Sequence, residues 1–259
     1  MKQAAFFDLD KTVIAKSSTL AFGKPFYKAG LFGTRTLMKI GLAQLFYVIF
    51  GADEDSLEKA RDQMLQLTAG WHRSEIEQLV EETLEEVAAP LVYAEALFLI
   101  DEHKRNGRSV FIVSASPEQV VRPVARYVGV PNIIASKVKT DEAGFFLPEL
   151  ERYAMGQGKV DALNELVEKE DIDLEGSYAY SDSITDLPMM EMVGNPVAVN
   201  PEKELRKVAE ERGWPILEFQ RPVSLGEPLR KRVPVLSSAT IAAVIGGFAV
   251  ATLLRRKRA

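Results

Sequence analysis

From residue 106 onward, short apolar runs alternate with amphipathic stretches, and this rhythm constrains the fold of the 259-residue chain more than any other feature. Asn106-Gly107 is a turn signal. A strand is expected at 109–113, then a helix at 117–127 with proline in its first turn. A strand at 132–135 and a hairpin-like 136–150 around Asp141-Glu142-Ala143-Gly144 follow. Helices are expected at 159–169, 186–192 and 202–212, interleaved with strands at 178–180, 197–199 and 216–219. Such an order implies an α/β fold, a doubly wound, mostly parallel sheet with helices on both faces. An apolar run at 3–9 ending in acids reads as its first, buried strand. Between them, Leu57, Arg61, Met64 and Leu65, then Ile76, Leu79, Val80, Leu84 and Val87, recur at helical spacing. Ser74 is a candidate N-cap, and Pro90 separates that helix from the next. The expected organisation is therefore a core of 1–15 and 91–220, with a helical cap, 16–90, inserted after the first strand.

Composition then removes whole classes of chemistry. There is no cysteine, so a disulfide scaffold, a thiol nucleophile and a cysteine metal site are excluded. The two histidines, His72 and His103, read as a cap-helix and a surface residue, and they support neither a histidine-rich metal site nor a serine–histidine hydrolase. Carboxylates, hydroxyls and lysines must carry the reaction. The net charge of −5 hides an asymmetry: residues 221–259 hold eight Lys/Arg against Glu227 alone, and residues 1–220 carry net −12. An acidic body argues against nucleic acid as a partner, because phosphate-backbone binding needs concentrated Lys/Arg.

The basic tail flanks a membrane-anchor candidate. Residues 233–254 form 22 positions without a charge, and a helix of that length reaches roughly 33 Å, enough to cross a bilayer core. A basic linker, 221–232, precedes it and a basic tail, 255–259, follows. Basic residues on both sides leave open whether the segment crosses once or lies against the inner surface. Only four apolar residues precede Asp8, too few for a signal-peptide core, so residues 1–232 are expected in the cytoplasm and the protein at the membrane. No oligomeric state follows from the sequence.

In doubly wound sheets the ligand sits beyond the carboxyl ends of the strands. Asp8 and Asp10, at i and i+2 on an extended chain, point to one side. Ser114 stands at a second strand end, before a helix start that favours an anion. Gly156-Gln157-Gly158-Lys159 opens a helix and supplies a cation; it lacks P-loop spacing, which argues against ATP as a cofactor. Asp182 and Asp186 follow a later strand. Four acids around one point need a cation, and all-oxygen ligation suits Mg²⁺. Lys159 and Ser114 then have an anion left to bind. A phosphate ester satisfies both halves.

The order Asp8-x-Asp10-x-Thr12, Ser114, Lys159, Asp182-x-x-x-Asp186 resembles the haloacid dehalogenase superfamily, and the helical insertion resembles its phosphoserine-phosphatase-like branch, subfamily IB. The resemblance covers about residues 3–200. It implies that Asp8 attacks phosphorus and forms an aspartyl-phosphate, and that Asp10 protonates the leaving alcohol and then activates water. It further implies that the Asp8 side chain, the Asp10 backbone carbonyl and Asp182 hold Mg²⁺, that Ser114 and Lys159 bind phosphate, that Asp186 orients waters or Lys159, and that Thr12 holds the loop.

Departures from that pattern bear on substrate. Where phosphoserine phosphatases place an acid that meets the substrate amine, this chain has Ser17. Where they carry Gly-Gly, it has Ala115-Ser116. L-phosphoserine is accordingly disfavoured, and a small or lipid-linked phosphate ester is expected. The uncharged stretch 40–52 reads as a buried cap helix or, alternatively, as a face that meets membrane or an acyl chain. Three functions stay open: a membrane-tethered Mg²⁺-dependent phosphatase, phosphoserine phosphatase included; an enzyme passing the phosphoryl group to another alcohol; and a non-enzymatic, membrane-anchored phosphate sensor.

Overall fold

The computed structural model describes residues 2–33 and 54–220. The segments 40–52 and 233–254 lie outside the described residues, and among the described residues no helix is long and apolar enough to cross a membrane.

In chain order the elements are β1 (Ala4–Asp8), α1 (Ser18–Ala21), α2 (Gly23–Lys28), α3 (Glu54–Thr68), α4 (Arg73–Val87), α5 (Ala94–Arg105), β2 (Ser109–Pro117), α6 (Glu118–Tyr127), β3 (Ile133–Thr140) and β4 (Phe146–Arg152). They continue with α7 (Gln157–Glu170), β5 (Tyr178–Ser181), α8 (Leu187–Glu191), β6 (Asn195–Val199), α9 (Lys203–Arg212) and β7 (Ile216–Leu217). The seven strands lie in the order β4-β3-β2-β1-β5-β6-β7. Every pairing is parallel except β3 with β4, the hairpin at one edge. The chain winds outward from β1 through β2 and β3, then returns to the opposite side of β1 as β5. That reversal is the topological switch point, and ligands in such sheets bind outside the strand ends beside it.

All five residues of β1 are buried, as expected of a central strand covered on both faces. Ala5 and Phe7 face a core shared with Ile112, Tyr180, Val121 and, from the segment between β1 and β2, Phe22 and Phe26. Ala4 and Phe6 face a second core with Phe111, Val113, Leu163 and Met190. Strand alternation thus sends neighbouring residues into two separate layers. Phe26, Phe32 and Trp71, in edge-to-face contact at 5.0–6.1 Å, extend the core that Ala5 and Phe7 face.

Three local expectations are corrected. His72, not Ser74, occupies the N-cap position of α4, without a side-chain capping bond, and Ser74 sits inside the first turn, its hydroxyl 2.8 Å from His72 Nδ1. The second strand runs past Val113 to Pro117, with a register irregularity between Ser114 and Pro117. His103 is no surface residue: it is 4 % exposed on α5, and its Nε2 lies 2.8 Å from the Tyr180 hydroxyl. A guanidinium can only donate, so His103 Nδ1 accepts from Arg108 at 3.4 Å and Nε2–H donates to Tyr180. The polar neighbours read as surface chemistry in the sequence, but the helix turns this one residue onto the sheet.

Burial, with Arg108 adding, pushes the His103 imidazole down to about 3. Its ordinary value in the unfolded chain is about 6.5. The folded state therefore binds fewer protons between these values. His103 costs nothing above pH 6.5, and stability falls as the pH drops from there toward 3. By pH 5 the expected loss is about 2 kcal/mol, and His103→Gln should remove most of it. Urea unfolding of both proteins at pH 7 and pH 5 checks this; equal pH slopes would refute it.

Candidate active site

At the carboxyl ends of β1 and β5, one lysine bridges two acids. Lys159 Nζ lies 2.7 Å from Asp8 Oδ1 and 2.7 Å from Asp186 Oδ1. All three residues are buried. Ser181, the last residue of β5, donates to Asp186 Oδ2 at 2.6 Å. Ser181 had no assigned role in the sequence reading, although its position at a strand end, beside a named acid, was a usable signal.

The glycines explain how Lys159 reaches this place. Gly156 adopts φ 51°, and a Cβ on Gly158 would stand 1.9 Å from the Tyr153 carbonyl oxygen. Only glycine lets the start of α7 pack that closely against the preceding turn. Burial alone would lower the Lys159 ammonium, but Asp8 and Asp186 more than compensate and hold it above its ordinary value. It is a fixed cation at the strand ends.

Asp8 shows the opposite balance. Burial raises its carboxyl well above the usual range; Lys159 opposes, and Asp186 and Asp10 reinforce the rise. Asp182 is 5 % exposed, and burial pushes it up to about 7, with Lys11 opposing and Asp186 and Glu202 adding. Its ion-pair partner is Lys11 at 3.8 Å, whose side chain is 60 % exposed. Lys11 itself takes a left-handed backbone, φ 60°, uncommon outside glycine. Burial thus disfavours the charged form of both carboxylates.

Asp10 does not share a partner with Asp8. It lies beyond the end of β1. Its Oδ2 accepts from Ser116 Oγ at 2.9 Å, and its Oδ1 accepts from the Ser18 backbone N–H. Ser114 is fully buried at the β2 irregularity, and its oxygen accepts from the Ser116 N–H at 3.1 Å. Among the described residues its own O–H has no acceptor. Asp8 pairs in register with Val113, so Ser114 stands one step beyond the nucleophile candidate on the neighbouring strand. Glu202 accepts from Ile184 N–H at 2.7 Å and Ser183 Oγ at 3.1 Å, which pins the loop between Asp182 and Asp186. Ser18, Glu202 and Lys11 had no assigned role in the sequence reading, because each acts across a long sequence separation or through an unusual backbone.

Thr12 is buried, but its hydroxyl has no hydrogen-bond partner among the described residues, so it does not hold the loop through that oxygen. Ser17 is half-buried just before α1 and Ala115 half-buried beside Ser114. Among the described residues, no three His, Asp or Glu side chains converge as a ready cation cage. A cavity of about 270 Å³ lies elsewhere, lined in part by Arg122, Lys137 and Arg152. Those cations are already paired, with Glu118 at 3.0 Å, Glu151 at 2.7 Å and Glu165 at 3.1 Å. The strand-end cluster is the better candidate on chemistry.

The chain is similar to known proteins over most of its length. A Mycobacterium tuberculosis (strain ATCC 25618 / H37Rv) protein named as a probable phosphatase is 46 % identical over 263 residues, covering 98 % of this chain and 90 % of that protein. The solved structure of a protein of unknown function from Bordetella pertussis Tohama I superposes with a TM-score of 0.74 at 28 % identity, over 84 % of this chain and 98 % of its own. At the level of fold, a phospho-aspartyl intermediate analogue of phosphoserine phosphatase superposes with a TM-score of 0.60 at 18 % identity, over 85 % of this chain and 94 % of its own. The haloacid dehalogenase-like hydrolase family model matches residues 5–191, a range that includes Asp8, Asp10, Ser114, Lys159, Asp182 and Asp186. With most of its length matched and a near relative aligned almost end to end, the chain belongs to the haloacid dehalogenase-like hydrolase family.

Proposed function

We infer that the protein is a Mg²⁺-dependent phosphomonoesterase working through an aspartyl-phosphate, held at a membrane by residues 233–254. The observation that carries the chemistry is Asp8 at the end of the central strand, buried against Lys159, with Asp186 and Ser181 fixing that lysine from behind. A lysine so braced orients the Asp8 carboxylate and presents positive charge where phosphate oxygens gain negative charge. Ser114 O–H binds another of those oxygens. Asp8 attacks phosphorus, and Asp10 protonates the departing alcohol, then takes a proton from the water that hydrolyses the acyl phosphate.

The donor set fits a hard divalent cation. The Asp8 and Asp182 carboxylates are buried oxygens whose pKa is raised chiefly by desolvation, which a bound cation would offset, and the Asp10 backbone carbonyl lies on the same loop. These three would hold Mg²⁺, which when bound supplies charge neutralisation for the phosphoryl group. Two side chains and a backbone oxygen need no three-acid cage.

Ser17 favours a substrate without a free amino-acid head group, since it carries no charge to meet an ammonium. The uncharged 233–254 favours a bilayer-presented ester, because a tether raises the local concentration of enzyme at a surface. The test is phosphate release by the full-length protein, and by a protein truncated after Arg232, across phosphoserine, other soluble phosphate esters and lysophospholipid phosphates in vesicles. The truncated protein should leave the membrane fraction, keep its activity on soluble esters and lose roughly tenfold or more on vesicle-presented substrate. Phosphoserine as best substrate by kcat/KM would overturn the specificity reading, and equal vesicle activity of the two proteins would overturn the tether's catalytic role.

A further inference from the structure

Both oxygens of the Asp10 carboxylate are held by the chain itself. Ser18 N–H donates to Oδ1, and Ser116 Oγ donates to Oδ2 at 2.9 Å. Ser116 is 9 % exposed, and its hydroxyl is fixed in turn: Ser18 Oγ donates to it at 3.1 Å, and Thr19 Oγ1 lies 3.2 Å away. Its backbone N–H is bonded to Ser114 Oγ at 3.1 Å. A single network therefore runs from the phosphate-binding candidate Ser114 through Ser116 to Asp10, and out to the short helix α1. Where the resembled phosphoserine phosphatases have glycine, there is no side chain to make this link.

We propose that Ser116 is the positioning residue of Asp10 for protonation of the leaving alcohol. The two donors on Asp10 are not equivalent. An amide N–H can only donate, so Ser18 keeps Oδ1 an acceptor throughout. A hydroxyl both donates and accepts, so Ser116 can remain bonded to Oδ2 whether that oxygen carries a proton or not. In the reacting step an Asp8 oxygen forms its bond to phosphorus, and the ester P–O bond breaks with its electron pair on the alcohol oxygen. That oxygen takes the Asp10 proton, and Ser116 O–H donates to the carboxylate that remains. Without the Ser116 hydroxyl, Asp10 would keep only the Ser18 tether and rotate about it.

This inference rests on the assignment of Asp10 as the general acid, and the test separates the two. The readout is kcat/KM, which reports the step that expels the alcohol, along a series of aryl phosphates, from p-nitrophenyl phosphate, whose leaving group needs little protonation, to phenyl phosphate, whose leaving group needs more. Ser116→Ala is expected to lose about 10- to 100-fold more on phenyl phosphate than on p-nitrophenyl phosphate, because a displaced acid penalises only the poor leaving group. Ser116→Thr, which keeps the hydroxyl, should restore the wild-type slope. Turnover of p-nitrophenyl phosphate reports that each variant is folded. A uniform loss across the series, or none, overturns the positioning role. Asp10→Asn measured in parallel locates the failure: a steep slope there with a flat one for Ser116→Ala overturns Ser116 alone, whereas a flat slope for Asp10→Asn overturns the acid assignment and the positioning role with it.

Discussion

Asp8→Asn is expected to lower kcat on a small phosphate ester by at least about 10⁴-fold while the protein stays folded. The carboxamide nitrogen is a poor nucleophile, and the neutral group is a weaker partner for a hard cation. Stability should hold for a specific reason. The carboxamide oxygen can still accept from Lys159, Lys159 keeps Asp186, and the variant no longer buries a carboxylate that its surroundings disfavour. Phosphate release and thermal unfolding, measured on the same preparation, check both halves. Wild-type turnover in a folded Asp8→Asn protein would remove Asp8 as the nucleophile.

The second large effect falls on stability. Lys159→Met deletes the cation from a fully buried triad and leaves Asp8 and Asp186 facing each other, a loss expected to cost about 3–5 kcal/mol. The two carboxyls can relieve part of that by taking up a proton. A carboxyl whose folded pKa is raised above its unfolded value near 3.9 binds protons the unfolded chain has released, so stability falls as pH rises. The variant should therefore be least stable, relative to wild type, at pH 8 and closer to it at pH 5. Urea midpoints at the two pH values measure this. Activity should fall by about 10²–10³-fold, the usual cost of removing one donor to developing negative charge. A variant as stable as wild type at pH 8 would show that Lys159 is not the charge that compensates the two acids.

Much of this was legible in the linear chain. Alternating apolar and amphipathic segments require a layered α/β fold, since each amphipathic helix must bury its stripe against a sheet. Acids and hydroxyls that end apolar runs must lie on one edge of that sheet, because parallel strands all end at the same side. Asp8, Ser114, Lys159 and the Asp182/Asp186 pair were therefore placed near one another before any contact was known, and the order of the motifs pointed to the family. The antiparallel edge hairpin was also visible in its Gly-containing turn.

What the tertiary structure alone decided is which of these groups touch, and which neighbours complete them. Ser116 meets Asp10 across 106 positions and Ser18 across 98, joined by a strand irregularity and the short helix α1, which no local pattern describes. His103 sits among charged residues in the chain but is buried against Tyr180, because helical rotation, not local polarity, selects the face that packs. Gly158 has to be glycine because of the Tyr153 carbonyl five residues earlier, an approach that exists only once the turn has closed. Periodicity reports how often a side chain returns to the same face, and strand ends report which edge of the sheet they reach; both are properties of the backbone repeat and are written in the sequence. Contact distance, desolvation and the balance of charges around a buried acid depend on residues brought together from far along the chain, and only packing sets them.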